Sequence, residues 1–274
     1  MQSKKVSNRM ERIALNKTQN LLNSGAYILD GVLLLNDKID LKIEVNSNCD
    51  IFLNNIKDIK ELNIDINQDS NVRIAFLSEE AMNNSKITIN IMKNSGLTAY
   101  FADFSKDILN LNCLVNLLEE GANCSFKVAS LTADKDRKTI DVSLIHKSMK
   151  TYGKVDCFGI CKDESKLTVL GTSHILNGSI KSKTQQNCKI MVFDEASDAT
   201  AKPILKIDEN DLEASHGAVV GKINDEHLFY LTSRGLSEES AKELITLGYL
   251  KPIIEGFNDE NVKNHISSLI ERRM

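Results

Sequence analysis

Short runs of alternating apolar and polar residues dominate the middle of the chain. "LKIEV" (41–45), "LNIDI" (62–66), "ITINI" (87–91), "LNLN" (109–112) and "TIDVSLI" (139–145) all keep a period of two. That period turns one face of a strand to a core and the other to water. Between the runs lie polar corners such as "VNSNCD", "INQDSN" and "KNSG", the chemistry of tight turns. The alternation holds from about 26 to 231, with almost no helical interlude, which excludes a sheet layered with helices. A sandwich, a barrel and a β-solenoid remain. The pattern before and after this span is different. Residues 9–22, "RMERIALNKTQNLL", place Met10, Ile13, Ala14 and Leu21 at helical spacing and predict a short N-terminal helix. Near Ser237 the period changes again. Ser237 is a good N-cap with Glu238 and Glu239 in the first turn. Ala241, Leu244 and Ile245 form a stripe, and Gly248 is placed to end the helix as a C-cap. A further helix is expected over 258–274, with Val262, Ile266, Leu269 and Ile270 on one face.

Composition narrows the choice among the β architectures. Aromatic residues are 5% and Trp is absent, whereas sandwich and barrel cores usually carry more. Asn occurs 27 times, 20 of them before residue 125. A solenoid stacks Ile, Val and Leu inside and uses Asn and Gly at corners that need a left-handed backbone. No strict repeat is visible. The expectation is a mainly β chain, a right-handed parallel β-helix. It divides into an N-terminal helical segment over 1–24, a β-helix core over 25–235 and a C-terminal helical subdomain over 236–274.

Charge and cysteine usage then limit function. Net charge is -4, which argues against a partner bound by neutralising phosphates. No apolar run is long enough to span a bilayer and the N-terminus is not a signal peptide. The expected location is cytoplasmic, with no membrane partner. The six cysteines are then expected as thiols, Cys49, Cys113 and Cys124 filling core. "CFGIC" (157–161) puts Cys157 and Cys161 on one face of a strand, where two small core residues are the plain reading. No glycine-rich phosphate loop occurs, so no bound nucleotide is expected.

One long block carries identity. "QQNCKIMVFDEASDATAKPILKI" (185–207) and "DLEASHGAVVGKINDEHLFYLTSRGLSEESAKELITLGYL" (211–250) resemble the core domain of the SUF-system iron–sulfur assembly proteins, the SufB/SufD scaffold family. The resemblance covers 171–257. The family's usual long N-terminal helical region is mostly missing, as in a reduced member. The resemblance implies a scaffold rather than an enzyme, pairing with a second scaffold chain, either a copy of itself or a paralogue. It implies a SufC-type ABC ATPase held by the C-terminal helices, a sulfur donor system, and a transient iron–sulfur cluster formed where scaffolds meet. His216 matches the family's histidine, and Cys188 falls where SufB-type members carry the cysteine on which assembly depends. Ala214 departs from SufD-type members, which carry cysteine there, and Gly217 from SufB-type members, which carry glutamate. Cys188 and His216 are thus the expected metal ligands, with Glu213 a third, oxygen ligand. "FYL" (229–231) reads as a last strand before the Ser-Arg-Gly turn. The ATPase-facing residues implied are Phe229, Tyr230, Arg234, Leu244, Leu247 and Tyr249.

Blander readings stand beside these. Cys188 and His216 can be core and turn residues, His146, His174 and His227 rung-end or surface residues, and Arg234 a member of a local ion pair. The last helices can simply cap the open end of the solenoid. Two other functions follow: a β-solenoid adaptor that binds the ATPase without holding a cluster, and a carbohydrate-active β-helix enzyme.

Overall fold

A computed structural model describes residues 11–14, 19–30, 38–54 and 59–274. Among them are seventeen strands. In chain order they are β1 (Glu11–Ala14), β2 (Gln19–Leu22), β3 (Gly25–Asp30), β4 (Lys38–Ile43), β5 (Asn48–Asn54), β6 (Glu61–Ile66), β7 (Asn71–Ser78), β8 (Met82–Ile91) and β9 (Gly96–Asp103). They continue as β10 (Ile108–Leu117), β11 (Asn123–Thr132), β12 (Arg137–His146), β13 (Tyr152–Cys161), β14 (Lys166–Ile175), β15 (Ser182–Val192), β16 (Asp198–Ile207) and β17 (Leu212–Lys222). Odd strands make one parallel sheet and even strands another, each strand pairing with the one two places on. This is a parallel β-solenoid whose turns each give one strand to either sheet. The inward columns from both sheets meet in one aliphatic core, including Leu41, Ile64, Ile89, Val115 and Val142 from the even sheet and Ile51, Ile74 and Phe126 from the odd.

The absence of a strict repeat has a geometric cause. One corner of each turn carries a left-handed residue, at Asn46, Asp69, Asn94, Gly121, Lys150 and Lys181, so successive turns are 23, 25, 27, 29 and 31 residues long. From Asn46 to Lys181 each turn gains two residues, and the solenoid widens toward its C-terminal end. The corner is held by serines. The Ser70 hydroxyl accepts from the Ser47 amide (3.0 Å) and donates to the Glu44 carbonyl (2.8 Å), and Ser95 does the same one turn on. These bonds satisfy backbone groups that the turn would otherwise bury unpaired. The Asn surplus is explained partly at corners and partly by a ladder on the outer face of the even sheet. There Asn63 donates to Asp40, Asn90 to Asp65 and Asn116 to Asn90, at 2.8–2.9 Å.

Three helices follow: α1 (Asp225–Ser233), α2 (Glu238–Ile254) and α3 (Glu260–Glu271). Ser237 caps α2 as expected, accepting from the Ser240 amide, and Ile266, Leu269 and Ile270 form the buried face of α3. α2 and α3 lie against the outer face of the odd sheet. Leu250 and Ile253 of α2, Phe257, and the α3 face cover Phe52, Ala75, Leu77, Ala102, Ala129, Leu131 and Ile160. Phe257 meets Phe52 edge to face at 5.9 Å, and Tyr249 meets Phe158 at 5.8 Å. Ala102 and Ala129 stand in register and leave room for a helix to approach.

Several expectations are corrected. The predicted helix over 9–22 is not formed: residues 11–14 and 19–22 are strands paired in parallel with β3 and β4, the rest of that stretch lying outside the described residues. A lone helix of that length is marginal in water, and an adjacent sheet edge supplies backbone partners instead. "FYL" is not a last strand but the middle of α1. The missed signal is Asn224, whose side chain accepts from the Glu226 and His227 amides, followed by Asp225 and Glu226 in the first turn. The helical part therefore begins at Asp225 rather than after 235. Gly248 does not end α2, which runs past it and past Pro252 to Ile254. The bond that Pro252 cannot donate is the one to the Gly248 carbonyl. The C-terminal helices do not cap the solenoid end. They pack on its flank.

Candidate functional site

That packing leaves the wide end bare. β17 is the last strand of the odd sheet and β16 of the even sheet. Nearly all of β17 is exposed, and Ile204, Ile207, Val219 and Val220 are 41–61% exposed. An unpaired strand edge with apolar side chains is a surface that another chain can complete.

Register places the expected ligands. Gln186 pairs with His216 and Cys188 with Ala218. Thr184, Gln186 and Cys188 are the buried, alternate residues of β15, so His216, Ala214 and Ala218 continue the inward columns onto the last rung. Cys188 and His216 share this face, one rung apart and offset by two residues, which sets their Cα atoms about 8 Å apart. Cys188 is 7% exposed and packs in the aliphatic core, whereas His216 is exposed. Glu213 is not brought to them. It stands an odd number of residues from His216, on the opposite face of β17, and bonds Lys183 at 2.7 Å. Among the described residues, no cluster of three or more His, Cys, Asp or Glu is placed to hold a metal ion.

Cys157, read from the sequence as a small core residue, adjoins the pair. Cys157 of β13 is the register partner of Cys188. Both thiols face inward: a hydrogen bond from Cys157 holds Cys188 below the usual thiol range, while the same bond and burial push Cys157 up. Beside them is a pocket of about 10 Å³ lined by Cys157, Cys188, Gln186, Gly171, Val169 and Pro203. Gln186 donates to the Ser173 hydroxyl at 2.6 Å, but its Oε1 has no partner. The signal for Cys157 is the spacing of 31 residues to Cys188, the length of that turn.

The other cysteines differ. Cys49, Cys113 and Cys124 are buried as expected, and burial raises the Cys49 thiol to about 11. Cys161 lies on the same face as Cys157, held by the Ser165 hydroxyl at 3.3 Å. His146 is fully buried at the end of β12, His174 bonds Asp208 at 2.6 Å, and His227 is exposed on α1.

The ATPase-facing set splits. Phe229, Tyr230 and Leu244 are 74%, 58% and 50% exposed. Leu247 and Tyr249 instead turn inward to pack on the sheet. Arg234 caps α1 and stands over the Tyr230 ring at 5.2 Å, a cation–π contact rather than an ion pair. Among the described residues no helix is long and apolar enough to cross a membrane.

The chain is thus a tapered parallel β-solenoid with helices docked on one flank and a thiol pair and an imidazole at its bare end. Residues 43–249 match the family described as "SUF system FeS cluster assembly, SufBD core domain", and the chain belongs to that family. It is 30% identical over 159 residues to the iron–sulfur cluster assembly protein SufD of Bacillus subtilis, covering 58% of this chain and 36% of that protein. It is 28% identical over 207 residues to SufD of Plasmodium falciparum, covering 73% and 14%. To SufD of Escherichia coli it is 30% identical over 115 residues, covering 42% and 27%. The chain thus spans between 14% and 36% of the length of these relatives.

Proposed function

We propose that this chain is a scaffold on which an iron–sulfur cluster is built as cargo, with Cys188 and His216 its own ligands. Thiolate and imidazole are the donors such iron accepts. The observation that carries the proposal is their shared inward face on the last two rungs, at an end that no helix covers. The exposed edge of β16 and β17 is the surface for a second SufB/SufD-type chain, self or paralogue, which would complete the ligand set. Glu213, on the far face, is left out of it. The exposed part of the helical end, Phe229, Tyr230 and Leu244, is the surface for a SufC-type ABC ATPase. In this reading the chain is no enzyme itself: ATP hydrolysis belongs to the partner, and a separate donor supplies sulfur.

The test is anaerobic reconstitution with ferrous iron and sulfide, read by visible absorbance and iron content. Cys188→Ala and His216→Ala should each take up markedly less than wild type, while Glu213→Gln matches it. Equal uptake by all would leave a β-solenoid adaptor without cluster chemistry.

A further inference from the structure

Cys157 and Cys188 are the one pair of cysteines, among the described residues, that stand as direct register partners on neighbouring rungs. Opposed residues on adjacent parallel strands lie about 4.8 Å apart, inside the Cα separation of roughly 4.4–6.8 Å that a disulfide spans. The pair borders a pocket, and the pocket is polar on one side. Gln186, 3% exposed, leaves its Oε1 unpartnered there. Gly171 keeps the space open, since a Cβ at that position would meet the Gln186 Oε1 at 3.1 Å. A buried acceptor without a donor, in a space for about one small molecule, fits a small S–H or O–H donor. Above Cys188, on the exposed last strand, its register partner is Ala218.

We propose that Cys157 and Cys188 form a working dithiol that takes a sulfane sulfur on Cys188 as a persulfide and releases it as sulfide. The proposal rests on the reading of Cys188 as this chain's sulfur-handling ligand. The Cys157 thiolate attacks the Cys188 Sγ. A bond between the two Sγ atoms forms, and the bond from Cys188 Sγ to the outer sulfur breaks. The outer sulfur leaves with the electron pair as hydrosulfide, takes the proton that Cys157 gives up to attack, and donates to Gln186 Oε1. Each cysteine sulfur gives up one electron, and the outer sulfur falls from oxidation state zero to minus two. The co-reactant is a small-molecule or protein persulfide, and a thiol reductant restores the dithiol. The product is the oxidation state of sulfur that a cluster contains, formed beside the ligands that would hold the iron.

The test treats the reduced full chain anaerobically with glutathione persulfide, removes the excess, and reads released sulfide and intact mass. Wild type should release sulfide and lose two hydrogens, with a Cys157–Cys188 crosslink on peptide mapping. Cys157→Ser should keep one extra sulfur on Cys188 and release no more sulfide than Cys188→Ser. Cys157→Ala, checked by thermal unfolding, serves if the serine destabilises the core. Sulfide release by Cys157→Ser at the wild-type level, or a stable persulfide on wild type, overturns the proposal. Supplying inorganic sulfide with iron separates the two readings. Cys157→Ser should then match wild type, since the reduction is bypassed, and equal failure would make Cys157 a ligand and overturn the proposal. Wild-type uptake by Cys188→Ala in that arm sinks the reading of Cys188 as a cluster ligand, whereas a Cys157→Ser defect confined to the persulfide arm upholds the dithiol.

Discussion

His216 stands in register over Gln186, and it is Ala218 that lies over Cys188. The imidazole is therefore beside the path to the thiol along the rungs, and the Ala218 methyl lies over that path. Ala218→Leu should seal it. Because Ala218 is exposed, thermal stability should hold within the ordinary surface range of about 0.5 kcal/mol. Alkylation of Cys188 by a small reagent and iron uptake should both fall. Unchanged alkylation would mean the thiol is reached another way.

The docking surface is testable without deleting it. Removing 237–274 would strip the cover from Phe52, Ala129 and Leu131, so lost binding would report unfolding or aggregation. Phe229→Ala with Tyr230→Ala takes away two exposed rings of α1 that the solenoid does not use. The expected outcome is loss of capture by a SufC-type ATPase with an unchanged melting temperature. Full capture would place the ATPase elsewhere.

A buried charge cluster sits at the β9–β12 corner. Lys138 Nζ, fully buried, donates to Asp103 at 2.8 Å and to the Ser105 and Leu131 carbonyls at 2.7 and 3.0 Å. Arg273 reaches Asp136 in the same cluster. Lys138→Met leaves Asp103 buried without a cation, its donors only the Ser105 and Ser130 hydroxyls and the Ser105 amide. The expected loss is about 3–5 kcal/mol in urea unfolding. Pairing it with Asp103→Leu should recover part of that loss, since both charges are then gone.

His146 gives the fold an acid limit. Its Nδ1 meets the Thr151 hydroxyl at 2.8 Å, its Nε2 has no partner, and burial lowers it to about 4 from an ordinary 6.5. Above pH 6.5 the ring is neutral in both states and carries no penalty. Between 6.5 and 4 the unfolded chain binds a proton that the folded chain refuses, so stability falls as pH falls. The full effect is about 3 kcal/mol. His146→Asn keeps a group for Thr151 and should flatten the decline in melting temperature over that window. An unaltered slope would assign the acid sensitivity to other groups.

The alternation of "LKIEV", "LNIDI" and "ITINI" marked two-faced strands, because inward and outward faces are written directly into a period of two, and low aromatic content with Asn-rich corners turned the choice among β architectures to stacked rungs. The caps Ser237 and Asn224 were equally legible, though only the first was read correctly. Asn224 was hidden by "FYL", whose residues suit a strand until the preceding "NDE" is seen as a helix start. Residues 9–22 misled because helical spacing is a weak local preference, and the neighbouring strand edge overrode it.

Sequence alone determined the β body of short two-faced strands, the shared face of Cys157 and Cys161, and the family to which 43–249 belongs. Tertiary structure decided which residues meet, because turns differ in length, from 23 residues at Asn46–Asp69 to 31 at Lys150–Lys181, and register across rungs depends on that length. It set Cys157 beneath Cys188, sent Glu213 to Lys183, and laid α2 and α3 along the flank so that the wide end stays bare. None of these is a local property of the chain: contact between rungs is fixed by the length of the turn that separates them.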